Sequence, residues 1–192
     1  MVRYCERSEA ILINGRNGSH IMELRKEIEL QFDVAEERYP LVLQLISDYT
    51  DYCDENGDED ETEYKKLEEK LHQLTGKDMS QYNLWEWWEE DGIEILAFNI
   101  SLPQPQIVPG ITIEELTEIV TRMKTFVEPE DDSFKSLFYN ETVFGTYFPQ
   151  FLKQNFKTYD IKLFQSHKGK DGSYFEYSIE QVVDKLWNNG NF

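Results

Sequence analysis

Apolar residues recur at intervals of three or four through several stretches of the chain, which is the period of an amphipathic helix. The first stretch predicts a helix from Met22 to about Arg38, with charged residues on the opposite face. Pro40 cannot continue an interior helical ladder but suits a first turn, so we expect the residues after it to begin a second helical segment or to follow a kink, and to stay helical to about Cys53. A third helical period begins at Tyr64.

Three more helices are predicted in the second half of the chain. Thr112 and Glu115 have the spacing of a capping box, in which each side chain satisfies a free backbone N–H at a helix start. Ser178 and Gln181 repeat that spacing ahead of another apolar run. The predicted helices of this half cover about 113–126, 147–155 and 178–187.

Strand-like stretches also occur, and one pair is arranged as a hairpin. Residues Ile93 to Ser101 are rich in β-branched and aromatic side chains, which favour a strand. Near the C-terminus, Tyr159 to Gln165 and Ser173 to Tyr177 flank a turn containing Asp171 and Gly172, a pair that suits positive φ. We therefore expect an α+β fold, with four to six helices around a small antiparallel sheet that includes a C-terminal β-hairpin.

The first 21 residues differ from the rest, because they show no helical period and contain a run of turn residues after Ile13. We expect residues 1–21 to be disordered, or to be an extension upstream of a biological start at Met22. An N-terminal arm that ends in residues 11–13 is the alternative. Residues 22–192 are expected to form a single globular domain, since 40% hydrophobic and 14% aromatic residues are enough to build a core.

The chain is strongly acidic, with 38 Asp and Glu against 19 Lys and Arg, which gives a formal net charge of -19. Such a field repels phosphate backbones and anionic lipid headgroups, so we expect neither nucleic acid nor membrane as a partner. No apolar run approaches the roughly 20 residues of a membrane-spanning helix. The two cysteines, Cys5 and Cys53, are too few for a disulfide scaffold of this size, so a cytoplasmic location with reduced thiols is expected.

The negative charge is unevenly distributed along the chain. Residues 48–94 contain 17 acidic and 4 basic residues, whereas residues 133–192 contain 6 acidic and 7 basic residues. If the fold keeps the first of these stretches on one side, that side attracts a basic partner. Solubility alone is the competing explanation of the charge.

No pattern in the chain predicts a catalytic or cofactor site. Asp54 to Glu63 resembles a calcium loop in composition, but Glu59 and Lys65 occupy the positions of the required glycine and the bidentate glutamate. His72 and His167 are isolated, with no zinc spacing around them. Phosphate-binding, dinucleotide-binding and nucleophile-elbow motifs are absent from the sequence, so no cofactor is expected.

A tryptophan-rich, acidic string is the most unusual feature of the sequence. Tryptophan is the residue most often found at interface hot spots, and acidic flanks suit a basic partner. The alternative is that Trp85 and Trp88 fill the core while Trp87 is half exposed. The predicted partner-binding residues are Trp85, Glu86, Trp87, Trp88, Glu89, Glu90 and Asp91.

The leading functional hypothesis is a protein-binding module that captures a basic protein, similar in character to the immunity proteins that neutralise bacterial toxins or nucleases. An acidic secretion chaperone fits the same features. The competing class is an enzyme whose catalytic carboxylates or histidines are far apart in sequence, and such an enzyme requires a pocket with converging polar groups. A self-associating scaffold is a third alternative, which requires a large apolar patch.

Overall fold

The computed structural model describes residues 22–87, 92–128 and 130–190. Its longest helix, α1 (Phe32–Asn56), has 25 residues and runs through Pro40 without a break. The prediction of a separate helix over 22–38 is therefore wrong. The buried residues Ala35, Val42 and Ile46 continue one apolar stripe past Pro40, which is itself exposed. Packing of this stripe outweighs the roughly 3 kcal/mol that an interior proline costs a helix.

Most of the remaining chain is also helical. A π-helical stretch, Glu141–Thr146, joins α5 to α6 in one continuous helical run, so the described residues contain six helical segments. The capping boxes predicted before α4 and α7 are confirmed, with both side-chain to backbone hydrogen bonds present in each. The helices after α1 are α2 (Thr62–Thr75), α3 (Ile93–Ser101), α4 (Ile113–Lys124), α5 (Phe134–Asn140), α6 (Tyr147–Asn155) and α7 (Ile179–Trp187).

The stretch predicted as a strand at residues 93–101 is the helix α3 instead. Its side chains are buried on nearly every side, including those of Leu96, Ala97, Phe98 and Ile100. A short apolar run that is buried all round does not show the period that separates a helix from a strand. The contacts of α3 with α1 and α2 therefore decide its conformation, and the sequence pattern alone does not.

A short C-terminal hairpin is the only sheet among the described residues. Strands β1 (His167–Lys168) and β2 (Tyr174–Phe175) pair antiparallel, with His167 opposite Phe175. The strands are much shorter than predicted, because Ile161–Phe164 forms a 3-10 turn capped by Asp160. Six helical segments and a C-terminal antiparallel hairpin confirm the α+β class.

Two apolar clusters hold these elements together. The first contains the segment before α1 together with parts of α4, α6 and α7. The second lies between the C-terminal half of α1, α2 and α3, and includes Met79 and Leu84 from the connection that follows α2. Helix α3 contributes Phe98 to the first cluster and Leu96 to the second, so it joins the two.

Candidate partner-binding face

The segment that carries the predicted tryptophans is fixed against the C-terminal half of α1. The indole N–H of Trp87 donates to Thr50 Oγ1 at 3.1 Å, and the ring of Trp85 meets Tyr49 edge-on at 5.9 Å between centroids. The side chain of Asn83 accepts from the backbone N–H groups of Trp85 and Glu86 at 3.3 and 3.0 Å. These contacts fix both ends of residues 83–87.

Of the two tryptophans of this string that the structure describes, Trp85 differs from the core-filling alternative, whereas Trp87 is partly exposed as that alternative has it. Trp85, which that alternative buries, is 40% exposed. Trp87 is only partly exposed and packs against the second apolar cluster. Trp88, Glu89, Glu90 and Asp91 lie outside the described residues. The structure therefore presents Trp85 to solvent and uses Trp87 to attach the segment to α1.

Trp85 packs against a cluster of aromatic rings on α1 and α2. Tyr49 contacts Trp85 on one side and Tyr64 of α2 on the other, at 5.8 Å between ring centroids. Burial raises the pKa of Tyr49, and so do its contacts with Cys53 and Asp58. The hydroxyl of Tyr49 therefore stays protonated and donates to Asp58 Oδ2 at 3.3 Å. Tyr52, one turn further along α1, is 41% exposed.

Hydrogen bonds to Asp58 shape the acidic loop between α1 and α2. Its carboxylate accepts from the backbone N–H groups of Glu63 and Tyr64 at 3.1 and 2.8 Å, in addition to the Tyr49 hydroxyl. Partial burial opposes ionisation of this carboxyl, but the hydrogen bonds outweigh it and lower the pKa of Asp58. Across the described ranges, no group of three or more His, Cys, Asp or Glu residues could hold a metal ion.

Exposed carboxylates occur in each of the chain segments that meet at this aromatic cluster. They come from the end of α1, the following loop and the 83–87 segment, which lie together because Tyr49, Tyr64 and Trp85 are in contact. Nearby Lys65 and Lys66 are already paired with Glu61 and Glu63. We call the following set the acidic surface: Asp48, Asp51, Tyr52, Asp54, Glu55, Glu59, Asp60, Glu61, Trp85 and Glu86, all exposed.

His72 and His167 form hydrogen bonds to the backbone, and Cys53 is buried in the second apolar cluster. His72 Nδ1 donates to the carbonyl of Lys77 at 2.7 Å, and His167 Nε2 donates to the carbonyl of Lys162 at 2.8 Å. A carbonyl can only accept, so each of these contacts fixes a ring nitrogen as a donor. Cys53 is a buried free thiol. His167 begins β1, where it lies opposite Phe175 of β2.

A shallow pocket of about 210 Å³ lies near the start of α1, and none of its lining residues belongs to the acidic surface. Its walls include Lys26, Glu27 and Tyr147, with the remainder formed by glutamines. Burial raises the pKa of Tyr147 to about 12. Its lining contains one carboxylate, Glu27, and no histidine.

One buried polar group was missed by the sequence reasoning. Lys77 is only 5% exposed, and its ammonium group contacts the backbone carbonyl of Asn99 at 2.6 Å and the hydroxyl of Tyr82 at 3.2 Å. The sequence contains one signal for this contact. Pro103 has no backbone N–H, so in a helix the carbonyl of Asn99, four residues earlier, lacks its usual donor. That signal is informative only if residues 93–101 are known to be helical.

Comparison of the chain with protein-family models, with curated proteins and with solved structures finds no match. Among the helices of the described residues, none is both long enough and apolar enough to span a membrane.

Proposed function

We propose that this protein is a binding module whose acidic surface captures a basic protein, in the manner of an immunity-type inhibitor of a basic toxin or nuclease. The observation that carries the proposal is the exposed indole of Trp85, held against Tyr49 of α1 where chain segments rich in exposed carboxylates meet. A large aromatic side chain that is exposed and already ordered is a typical interface anchor, because little conformational entropy is lost when it is buried.

The charge of the surface supports a cationic partner. Eight exposed carboxylates speed the encounter with a positively charged surface, and their effect decreases as salt is added. Trp85 and Tyr52 then supply apolar contact area once the surfaces have met. The proposal places this encounter in the cytoplasm, and the free thiol of Cys53 is consistent with a reducing compartment.

The test is affinity capture from a lysate of the native cell, with the full chain as bait, at low and at moderate salt. The proposal predicts a stoichiometric basic protein that is released by salt. The variant Trp85→Ala should capture clearly less of the same protein, by about tenfold in affinity for a hot-spot residue. Phe126→Ala, which removes another exposed ring outside the acidic surface, is the matched control and should capture normally.

Two results contradict the proposal. One is a bait that retains no basic protein at either salt concentration. The other is a captured protein that binds wild type, Trp85→Ala and Phe126→Ala equally, because the contact then lies elsewhere on the chain.

A further inference from the structure

Lys77 lies where three parts of the second apolar cluster meet. It follows Gly76, which ends α2, and its side chain reaches the last turn of α3. There its nitrogen donates to the carbonyl of Asn99, while the hydroxyl of Tyr82 lies 3.2 Å from the same nitrogen. The side chain therefore connects α2, α3 and the segment between them.

The sequence of α3 creates the acceptor that Lys77 satisfies. In an α-helix the carbonyl of Asn99 would accept from the backbone nitrogen of residue 103. That residue is Pro103, which has no N–H to donate. Lys77 supplies the missing donor, so removing the contact leaves a partly buried carbonyl without its partner.

Lys77 also fixes the start of residues 77–87, the segment that carries the exposed Trp85. After Tyr82, Asn83 holds the backbone of Trp85, and Leu84 is fully buried in the second cluster. Trp87 then attaches to Thr50. The 77–87 segment is thus fixed to the protein at its start by Lys77 and at its end by Trp87.

The surroundings of Lys77 suit a neutral amine better than an ammonium ion. A neutral amine donates to both partners with its two N–H groups, whereas an ammonium carries a third N–H group that makes no hydrogen bond to a described residue. No carboxylate pairs with Lys77 in the ion pairs of the described residues. Burial, reinforced by the charge of Arg38, lowers the pKa of Lys77 to about 7.

Other titratable groups around Lys77 come from each neighbouring element. Arg38 of α1 contributes positive charge, and His72 of α2 binds the backbone carbonyl of Lys77. Burial raises the pKa of Tyr82 to about 12, so its hydroxyl stays protonated near neutral pH. Asp78 is exposed and holds the backbone of Ser80. His72 is therefore the group from which a neutral-pH effect of Lys77 must be distinguished.

We propose that Lys77 is a proton-sensitive latch for the 77–87 segment, which is docked while the amine is neutral and loosens when the amine takes up a proton. A buried ammonium without a carboxylate partner gains hydration by leaving the cluster, and its departure frees Tyr82 and the carbonyl of Asn99. Because Trp85 is carried by this segment, protonation also weakens capture by the acidic surface. That last consequence rests on the proposed function, whereas the latch itself does not.

The test follows the isolated protein by NMR between pH 5.5 and 9. One probe is the Lys77 side-chain carbon next to the nitrogen, and the other is the indole N–H of Trp87, which reports docking through its bond to Thr50. The latch predicts that both signals change with one midpoint near pH 7, about three units below an ordinary lysine. A Lys77 signal that shows no titration between pH 5.5 and 9 overturns the proposal in the wild-type protein alone.

Variants identify the group responsible. Lys77→Met should abolish the neutral-pH change of the Trp87 signal, while His72→Gln and the exposed-site control Lys70→Met should retain it. A change that survives in Lys77→Met, or disappears in His72→Gln, overturns the latch. If a basic protein is captured, its retention should decrease from pH 8 to pH 6 with wild type but not with Lys77→Met. If none is captured, the proposed function fails while the NMR titration still decides the latch.

Discussion

Trp87 and Thr50 lie 37 residues apart in sequence, and the indole N–H of the first donates to the hydroxyl of the second at 3.1 Å. The same hydroxyl donates to the carbonyl of Ile46 one turn earlier in α1. Thr50 therefore accepts one hydrogen bond and donates another, and it connects the tryptophan segment to the helix that carries much of the acidic surface.

Replacing Thr50 by valine should loosen this attachment. Valine keeps the branched shape but cannot accept from Trp87, so we expect a loss of about 1 kcal/mol of unfolding free energy. Urea unfolding measures the loss. Thr121→Val is the matched control, because the Thr121 hydroxyl is exposed and only donates to the carbonyl of Thr117. The control should change stability by less than about 0.5 kcal/mol, and equal losses in both variants would argue against the role given to Thr50.

The second apolar cluster should carry much of the stability beneath the acidic surface. Leu71 is fully buried in it, so Leu71→Ala should cost about 2–5 kcal/mol by loss of burial and creation of a cavity. Leu41→Ala makes the same change at a helical position that is 51% exposed, and should cost less than about 0.5 kcal/mol. Thermal unfolding of the two variants side by side checks the difference, and similar melting temperatures would contradict this packing.

The contribution of the Arg25–Glu115 contact to stability should depend on pH. Glu115 accepts from the guanidinium of Arg25 and from the backbone N–H of Thr112. Burial opposes its ionisation, but these hydrogen bonds outweigh burial and lower the pKa of Glu115. A lowered carboxyl pKa stabilises the fold above the unfolded-state pKa, and this contribution is lost as pH falls through the folded-state pKa.

Arg25→Gln should therefore destabilise the protein by about 1 kcal/mol at pH 7 and by less at an acidic pH below the folded-state pKa of Glu115, where this carboxyl is protonated. Urea unfolding at the two pH values measures the difference. Lys65→Gln, which removes the exposed pair with Glu61, is the control and should have little effect at either pH. A cost for Arg25→Gln that does not change with pH would show that Glu115 is not the group involved.

Stability should rise with pH above neutrality because of Lys77. Its pKa is lowered by burial to about 7 in the folded state, whereas an unfolded lysine titrates near 10.4. Between these values the unfolded chain binds more protons, so the unfolding free energy increases with pH, by at most about 1.4 kcal/mol per pH unit. Urea unfolding at pH 7, 8 and 9 should show this rise in wild type and a flatter profile in Lys77→Met. Parallel profiles would contradict it.

The sequence predicted those elements whose signals are local. The capping boxes before α4 and α7 depend on side chains three residues apart, and both form as expected. Pro40 and residues 93–101 were misread because tertiary packing decides them. The continued burial of Ala35 and Val42 carries α1 through its proline, and burial on all sides makes α3 a helix in a stretch with strand composition.

The candidate site was only partly predictable for a related reason. The tryptophan string identified the segment, but which indole is exposed depends on Tyr49 and Thr50, more than 30 positions away. One partner of Lys77, Asn99, lies 22 residues away and belongs to a helix that the composition did not reveal. Local composition therefore located the acidic, aromatic stretch, and long-range contacts determined how it is presented.

The most direct test of the central claim is the association rate of the captured basic protein at low ionic strength, measured by stopped-flow mixing. A triple variant, Asp51→Lys, Glu55→Lys and Glu86→Lys, reverses charge on the acidic surface. A second triple variant makes the same change in net charge on exposed residues outside the acidic surface, and it combines Glu114→Lys, Glu128→Lys and Glu130→Lys. We predict that the first triple variant associates at least about tenfold more slowly and that the second differs little from wild type. Equal slowing by both triples, or by neither, would contradict recognition through the acidic surface.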